Sequence, residues 1–301
     1  MSKRITIDSI AQLHRNLGLG KPAHPLISVF KQSELKVTAE VGTEVDLNLY
    51  MIALKDGANC QFGYGHSIYD FEEGMLAFMA PGQAFRVDKM ELSTDDVGWS
   101  IAFHPSLLKG MDLAHTISQF SFFQYDISEA LHCSQQEIDI LGEIAANIAS
   151  EIHQNMDRHT KSVLSASLEL LLSYCTRFYD RQFILRSPQN RELIGRFDAF
   201  LNQYYDDGTM LEHGVPNVQM CGRELGLSPY YLSDLLKQET GKNALEHIHL
   251  FLINRAKQQM LGTTDSITKI ASDLGFEYPQ HFSKLFKAKV GVSPREYRTT
   301  H

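Results

Sequence analysis

One short pattern occurs twice between Val218 and Arg298, and a duplicated pattern leaves few folds open. In the first copy VQMCGREL reads as a short helix closed by Gly226, Leu227 packs inward, and Ser228-Pro229 opens a second helix running to about Glu239. A serine ahead of a helix accepts an orphan backbone N–H, and a proline in the first turn gives up an N–H that has no partner there. In the second copy Asp265 is expected to cap SITKIASDLGF, Gly275 ends that helix, and Pro279 stands near the start of the next, in YPQHFSKLFKAKVG. Leu232, Leu235 and Leu236 match Phe282, Leu285 and Phe286, and Lys237 matches Lys287; the Leu225-Gly226 and Leu274-Gly275 steps lie one residue off that register. Helix, tight turn and capped second helix make a helix-turn-helix, whose second helix has the dimensions to enter a major groove.

Between the copies lies ALEHIHLFLINRAKQQML, a rod of roughly 27 Å at 1.5 Å per residue. With its turns it could set two reading helices about one DNA repeat (~34 Å) apart. The formal charge of -8 argues against a nucleic-acid partner until its placement is considered. Residues 1–189 hold 15 Lys and Arg against 23 Asp and Glu, whereas residues 190–301 hold 13 of each. Within Pro279–Arg298, Lys284, Lys287, Lys289, Arg295 and Arg298 face a single acid, Glu296. Screening confines distant charges to about 8–10 Å, so this local cationic face can hold phosphates on an acidic protein.

The amino-terminal part reads differently. From Leu26 to about Phe103, short apolar runs are broken by Gly, Asp and Asn. Leu47, Leu49 and Met51 alternate as in one half-buried strand, KDGAN (55–59) and DFEEG (70–74) read as turns, and MLAFMAP (75–81) as a buried strand. Many short strands without long helices suggest a small antiparallel barrel or sandwich. Helical spacing begins near Ser134, with Ser134 and Glu137 forming a capping box ahead of Ile138, Leu141, Ile148 and Ile152. A second helix, Thr160 to about Tyr179, carries a broad apolar face from Val163 to Phe178. That face either packs on the barrel or forms a dimer interface, and SPQN (187–190) reads as a hinge between domains.

Residues 213–298 resemble the AraC/XylS-type transcription regulators. The second unit carries most of the likeness, through Ile270-Ala271 and GFEYPQHFSKLFKAKVGVSPREYR; the first adds Leu227-Ser228-Pro229, Tyr231-Leu232-Ser233, Lys237 and Gly241. The resemblance implies a mixed fold with an amino-terminal antiparallel β-barrel, cupin-like, and an effector domain over 1–130. A helical pair for dimerisation follows over 131–186, then an all-α double helix-turn-helix over 190–301. By the family's pattern, Tyr230, Ser233, Asp234 and Lys237 of the first reading helix meet DNA, as do Pro279, Gln280, Ser283, Lys284 and Lys287 of the second. Gln280 suits adenine and Lys284 suits guanine or a phosphate. Two residues depart from the pattern: Asp234 stands where the family often has a basic residue, and Leu252 where a linking-helix arginine usually lies. Phe276, Phe282, Leu285 and Phe286 are expected to be core.

Catalytic chemistry finds no support in the sequence. His66, His104 and His115 lack the His-Xaa-His and Glu spacing of a metal-binding barrel, and EIHQNMDRH lacks metallopeptidase spacing. NLGLGKPAHP lacks the Ser or Thr that closes a phosphate loop, and His247 and His249 do not face each other on a helix. No metal or cofactor is expected. Tyr50, Phe62, Tyr64, His66 and Trp99 are candidate linings for a small organic effector. Cys60, Cys133, Cys175 and Cys221 form no close pair, which suits a reducing compartment. No signal peptide or membrane span is read. The sequence therefore points to a cytoplasmic transcription regulator that binds double-stranded DNA, responds to an effector, and could dimerise and touch RNA polymerase. The alternatives are a DNA-binding protein with a catalytic barrel and a ligand-independent regulator that recruits another protein.

Overall fold

The structure is a computed structural model that describes residues 4–36, 42–55, 60–64, 67–70, 74–90 and 98–300. The chain divides into two compact units, Met1–Gln182 and Phe183–His301. Strands described in the first unit are β1 (Arg4–Ile7), β2 (Ile27–Lys31), β3 (Glu44–Leu47), β4 (Tyr50–Lys55) and β5 (Cys60–Tyr64). They continue with β6 (Ser67–Asp70), β7 (Met75–Met79), β8 (Gln83–Met90), β9 (Trp99–Phe103) and β10 (Leu131–His132).

These strands form two separate sheets, ordered β1-β3-β8-β5-β6 and β10-β7-β4-β9-β2. The closed, cupin-like antiparallel barrel expected from the sequence is therefore not formed. Among the described residues no ladder joins one sheet to the other, each sheet ends in two edge strands, and β1 runs parallel to β3. The cause lies where the chain changes sheet. After Leu47 it crosses through Asn48-Leu49 into β4 of the other sheet, and after Met79 it returns through Ala80–Gly82 to β8. Gly82 takes φ +85 in that return, a conformation glycine adopts without Cβ strain. A chain that steps between layers stacks two sheets about a common core instead of rolling one sheet shut. Ile7, Phe30, Val45, Leu47, Leu49, Met79 and Ala102 form that core, drawn from both sheets.

The first crossing also overturns the reading of Leu47, Leu49 and Met51 as one alternating strand. Leu47 and Leu49 are buried, but in β4 the buried positions become Ile52 and Leu54 while Met51 is only partly covered. Every residue of β7 is buried, as its unbroken apolar run predicts. Most of KDGAN and DFEEG lies outside the described residues.

Among the described residues this unit also has the α-helices α1 (Ile10–Asn16), α2 (Leu113–Thr116), α3 (Gln135–Ile152) and α4 (Thr160–Leu185), the last running into the second unit. Ser134 and Glu137 form the expected capping box on α3, and α3 packs against β2. Leu164, Leu168, Leu171, Leu172, Cys175 and Phe178 of α4 are buried. Tyr179 stacks on Phe122 at 5.4 Å and meets Phe78 at 6.1 Å, so much of the apolar face covers the sheet. Arg181 ties the two helices through Glu137 at 2.8 Å. Val163, at 44% exposure, and Leu170, at 50%, stay uncovered.

The residues SPQN (187–190) are helical. Ser187 begins α5 (Ser187–Asp206) one residue after α4 ends, and Pro188 lies in its first turn, where a missing N–H breaks no bond. The second unit continues with α6 (Met210–His213), α7 (Val218–Leu225), α8 (Pro229–Thr240) and α9 (Ala244–Gly262). It closes with α10 (Ile267–Asp273), α11 (Pro279–Val290) and α12 (Pro294–Thr300). Ala244, Ile248, Leu252, Ile253, Ala256 and Met260 bury one side of α9, and α8, α10 and α11 all pack on this rod. Among the described residues no helix is long and apolar enough to cross a membrane.

Two backbone segments meet closely at Gly275. Its φ is +85, and a β-carbon there would lie 2.7 Å from the carbonyl carbon of Gly214. Gly275→Ala is therefore expected to destabilise the second unit by roughly 1–3 kcal/mol, from positive-φ strain and displaced backbone. Denaturant unfolding followed by helical circular dichroism measures this, and an unshifted transition would show that the segments part freely.

Candidate nucleic-acid interface

The two copies agree in hydrogen bonds as well as in sequence. Asn217 caps α7 by accepting the N–H of Met220, and Ser266 caps α10 by accepting that of Lys269. The cap expected at Asp265 thus belongs to its neighbour, and Asp265 pairs with Lys269 at 3.0 Å instead. At the turns, Leu227 N–H donates to the Gly222 carbonyl at 2.8 Å and Phe276 N–H to that of Ala271 at 3.0 Å. Each second helix ends alike, with Gly241 donating to Lys237 and Gly291 to Lys287, both glycines in the left-handed conformation that terminates a helix. A capping box follows in each copy, Asn243 with Glu246 and Ser293 with Glu296.

The copies differ at one point. A single residue, Ser228, separates Leu227 from Pro229, whereas Glu277 and Tyr278 separate Phe276 from Pro279. This extra residue accounts for the one-residue drift between the two halves of the repeat. Ser228, buried, accepts the N–H of Tyr231 at 3.1 Å; Tyr278 makes no side-chain cap bond. A β-carbon at Gly222 would meet the Leu227 carbonyl oxygen at 2.6 Å, so the shorter turn requires glycine there.

Buried residues fix which side of each second helix faces out. Tyr231, Leu232, Leu235 and Leu236 are buried on α8, as are Phe282 and Phe286 on α11. Phe276 and Leu285, expected in the core, are only half-buried, though Phe276 contacts Phe282 at 5.5 Å. On α8, Tyr230 and Lys237 are exposed, with Ser233 and Asp234 partly so. On α11, Gln280, Lys284 and Lys287 are exposed, with Pro279 and Ser283 partly so. Residues 230, 233, 234 and 237 share one helical stripe, and 280, 283, 284 and 287 share the corresponding one. The first stripe has one acid and one lysine; the second has two lysines and no acid.

Several contacts in this unit were missed by sequence reasoning. Asn190, buried, donates to Glu239 at 2.9 Å and so joins α5 to the end of α8. Arg255 pairs with Asp206 at 2.7 Å and lies 5.1 Å over the Tyr205 ring. Arg298 reaches the Asp265 carbonyl at 2.6 Å, closing the terminal helix onto the start of the second copy. Leu252 is fully buried, so apolar packing occupies the place where the resemblance implied a polar tie. His247 bonds Thr240 at 2.7 Å, and burial lowers the pKa of both His247 and His249. Cys221 is buried and its thiol is pushed up to about 12 by desolvation.

Of the proposed effector linings in the first unit, Tyr50 stacks on Phe103 at 5.0 Å and meets Phe123 edge-on. Burial raises the pKa of its hydroxyl. Trp99 is 8% exposed, and its Nε1 has no partner among the described residues. Phe62 and Tyr64 belong to β5, in the other sheet from Tyr50 and Trp99. His66 lies outside the described residues. Among the described residues no group of three or more His, Cys, Asp or Glu is placed to hold a metal ion.

A family described as a helix-turn-helix domain matches residues 221–300. The chain is 35% identical over 92 residues to the transcriptional regulatory protein YesN of Bacillus subtilis, covering 29% of this chain and 25% of that protein. It is 38% identical over 63 residues to the HTH-type transcriptional activator RhaS of Escherichia fergusonii, covering 21% and 23%. The matched stretch thus spans about a quarter of either relative. A solved AraC-type regulator from Chromobacterium violaceum aligns at 26% identity over 30% of this chain and 84% of that one, with a TM-score of 0.27. The helix-turn-helix domain is a DNA-binding module, and the cited relatives are named as regulators of transcription.

The unequal caps give a measurable consequence within the domain. Ser228→Ala removes the acceptor for the Tyr231 N–H and should destabilise the domain by about 1 kcal/mol. Thermal melting of the full chain monitored by helical ellipticity would register the loss, and an unchanged melt would mean that Ser228 does not cap α8 in solution.

Proposed function

We propose that the chain is a sequence-specific regulator of transcription that grips duplex DNA through two exposed stripes. Tyr230, Ser233, Asp234 and Lys237 form the first, on α8. Pro279, Gln280, Ser283, Lys284 and Lys287 form the second, on α11. The supporting observation is the repetition of one outward stripe on the second helix of both helix-turn-helix copies. Gln280 supplies a donor and an acceptor matched to adenine, and Lys284 a cation matched to guanine O6 and N7 or to a phosphate. Asp234 can accept from cytosine N4 but repels phosphates, which makes the first copy the more selective and the second the stronger anchor.

In this reading residues 190–301 bind DNA, residues 1–130 hold a small organic effector, and residues 131–186 join two copies of the chain. The uncovered Val163 and Leu170 on α4 are available to such a dimer contact. Effector binding shifts the spacing or orientation of paired DNA domains, which is a coupling between two sites of one cytoplasmic protein. Two named relatives in the RhaS and RhaR groups are transcriptional activators, which favours activation through contact with RNA polymerase.

Selection from random duplexes by the full chain should recover a site with two contacted segments about one helical turn (~34 Å) apart. Lys284→Ala should weaken that site by about 1–3 kcal/mol. Lys287→Ala should instead reduce the salt slope by about 1 and leave base preference unchanged. Equal retention of all duplexes, or indifference to both substitutions, would refute the assignment.

A further inference from the structure

Helix α3 packs on β2 with a face too small to fill the space beneath it. Gly142, Ala145, Ala146 and Ala149 fall at spacings that place them on one side of the helix. They line a cleft of about 450 Å³ whose other walls come from β2 and from the chain between His14 and Ala23. A β-carbon at Gly142 would have no neighbour within 4 Å. Glycine weakens a helix interior relative to alanine, and no close approach requires it here, so the room is left open at a cost to α3.

The cleft's lining has a definite chemistry. Phe30 and Trp99 supply flat apolar surface, and Trp99 keeps its buried Nε1 without an acceptor among the described residues. Lys21 and Lys31 are exposed at the lining, facing one carboxylate, that of Glu34, which already accepts the Lys31 backbone N–H at 3.3 Å. His14 is fixed on both nitrogens, by the Gly20 carbonyl at 2.7 Å and by the Ser28 hydroxyl at 2.7 Å. Since the carbonyl only accepts, Nδ1 donates to it. A surplus of cations here stands out because residues 1–189 carry 15 basic against 23 acidic residues.

We propose that this cleft binds a small organic acid with one carboxylate and an apolar body. The body lies between the α3 face and the Phe30–Trp99 surface, and the carboxylate meets Lys21 and Lys31. Of the two residues offered as effector linings whose side chains are described, Trp99 lines this cleft and Tyr50 does not. The site deepens the effector part of the proposed function, and its link to DNA rests on that reading; binding of the acid does not.

Trp99 is the single tryptophan of the chain, so its emission reports on the cleft directly. Titration of the full chain with benzoate, and separately with hexanoate, should give a saturable change with a Kd of roughly 1 mM or tighter for at least one acid. Benzamide and hexanamide should bind at least about tenfold more weakly, since they lack the charge. Gly142→Leu should abolish the response while the chain stays folded, and Lys21→Ala with Lys31→Ala should erase the preference for acid over amide. If Gly142→Leu fails to fold, the lysine pair decides alone. Equal response to acid and amide, none to either acid at about 10 mM, or indifference to the lysine pair would overturn the site. A separate duplex-binding assay distinguishes the two readings. Lost DNA binding with an intact emission response sinks the regulator, while unchanged DNA affinity at saturating acid leaves the site standing and removes its coupling.

Discussion

Burial along one side of α9 is the constraint on which both helix-turn-helix copies depend. Ile248, Leu252, Ala256 and Met260 recur every fourth residue, and with Ala244 and Ile253 they make a continuous apolar seam. Each large side chain taken fully out of water there contributes about 1.5–3 kcal/mol. Because α8, α10 and α11 all rest on this seam, neither copy is completed by its own residues alone. Leu252 is central to that arrangement: it is fully buried, and a charged group in its place would need a partner that the apolar seam does not supply. The polar side chain that does emerge nearby, Arg255, is held at the edge by Asp206 and by the Tyr205 ring.

The helical unit was legible because its signals are local. Proline at the first turn, glycine at the last and apolar residues at spacings of three and four act within one element, so Gly226, Pro229 and Pro279 marked true boundaries. Errors there were small: Ser266 took the cap expected of Asp265, since either residue can bond an orphan N–H and only the backbone decides which does. The capping box at Ser134 was read for the same reason. Sheet architecture was not legible in that way. Closure depends on which strands pair, and Asn48-Leu49 looks like the middle of one strand although the chain changes sheet there. The proline of SPQN is compatible with a loop and with a helix start alike, so the sequence did not decide between them.

The candidate sites divide along the same line. A stripe on a helix follows from spacing, so the exposed positions of α8 and α11 could be read from the sequence. A cleft lined from separate segments cannot, because His14, Lys31, Trp99 and Gly142 are brought together only by the packing of α3 on β2. The one available signal was the run of small residues from Gly142 to Ala149, which periodicity alone counts as part of an ordinary apolar face. Close approaches also escaped notice: nothing in the sequence distinguishes Gly222, which is sterically required, from Gly142, which is not, and Gly275 was read only as a helix end.

Although the residue pair Glu277-Tyr278 stands in place of Ser228, the two second helices keep one register from their prolines onward. On a helix each residue advances the side chains by about 100° (3.6 residues per turn). The extra residue lies before the proline, however: Phe282 and Phe286 follow Pro279 at the same steps as Leu232 and Leu236 follow Pro229, so α11 grafted from its proline onto the shorter turn would keep its lysines outward and its aromatic rings inward. A transplant cut at Pro229 or Pro279 and after Gly241 or Gly291 therefore exchanges the exposed stripe and leaves each turn with its own unit.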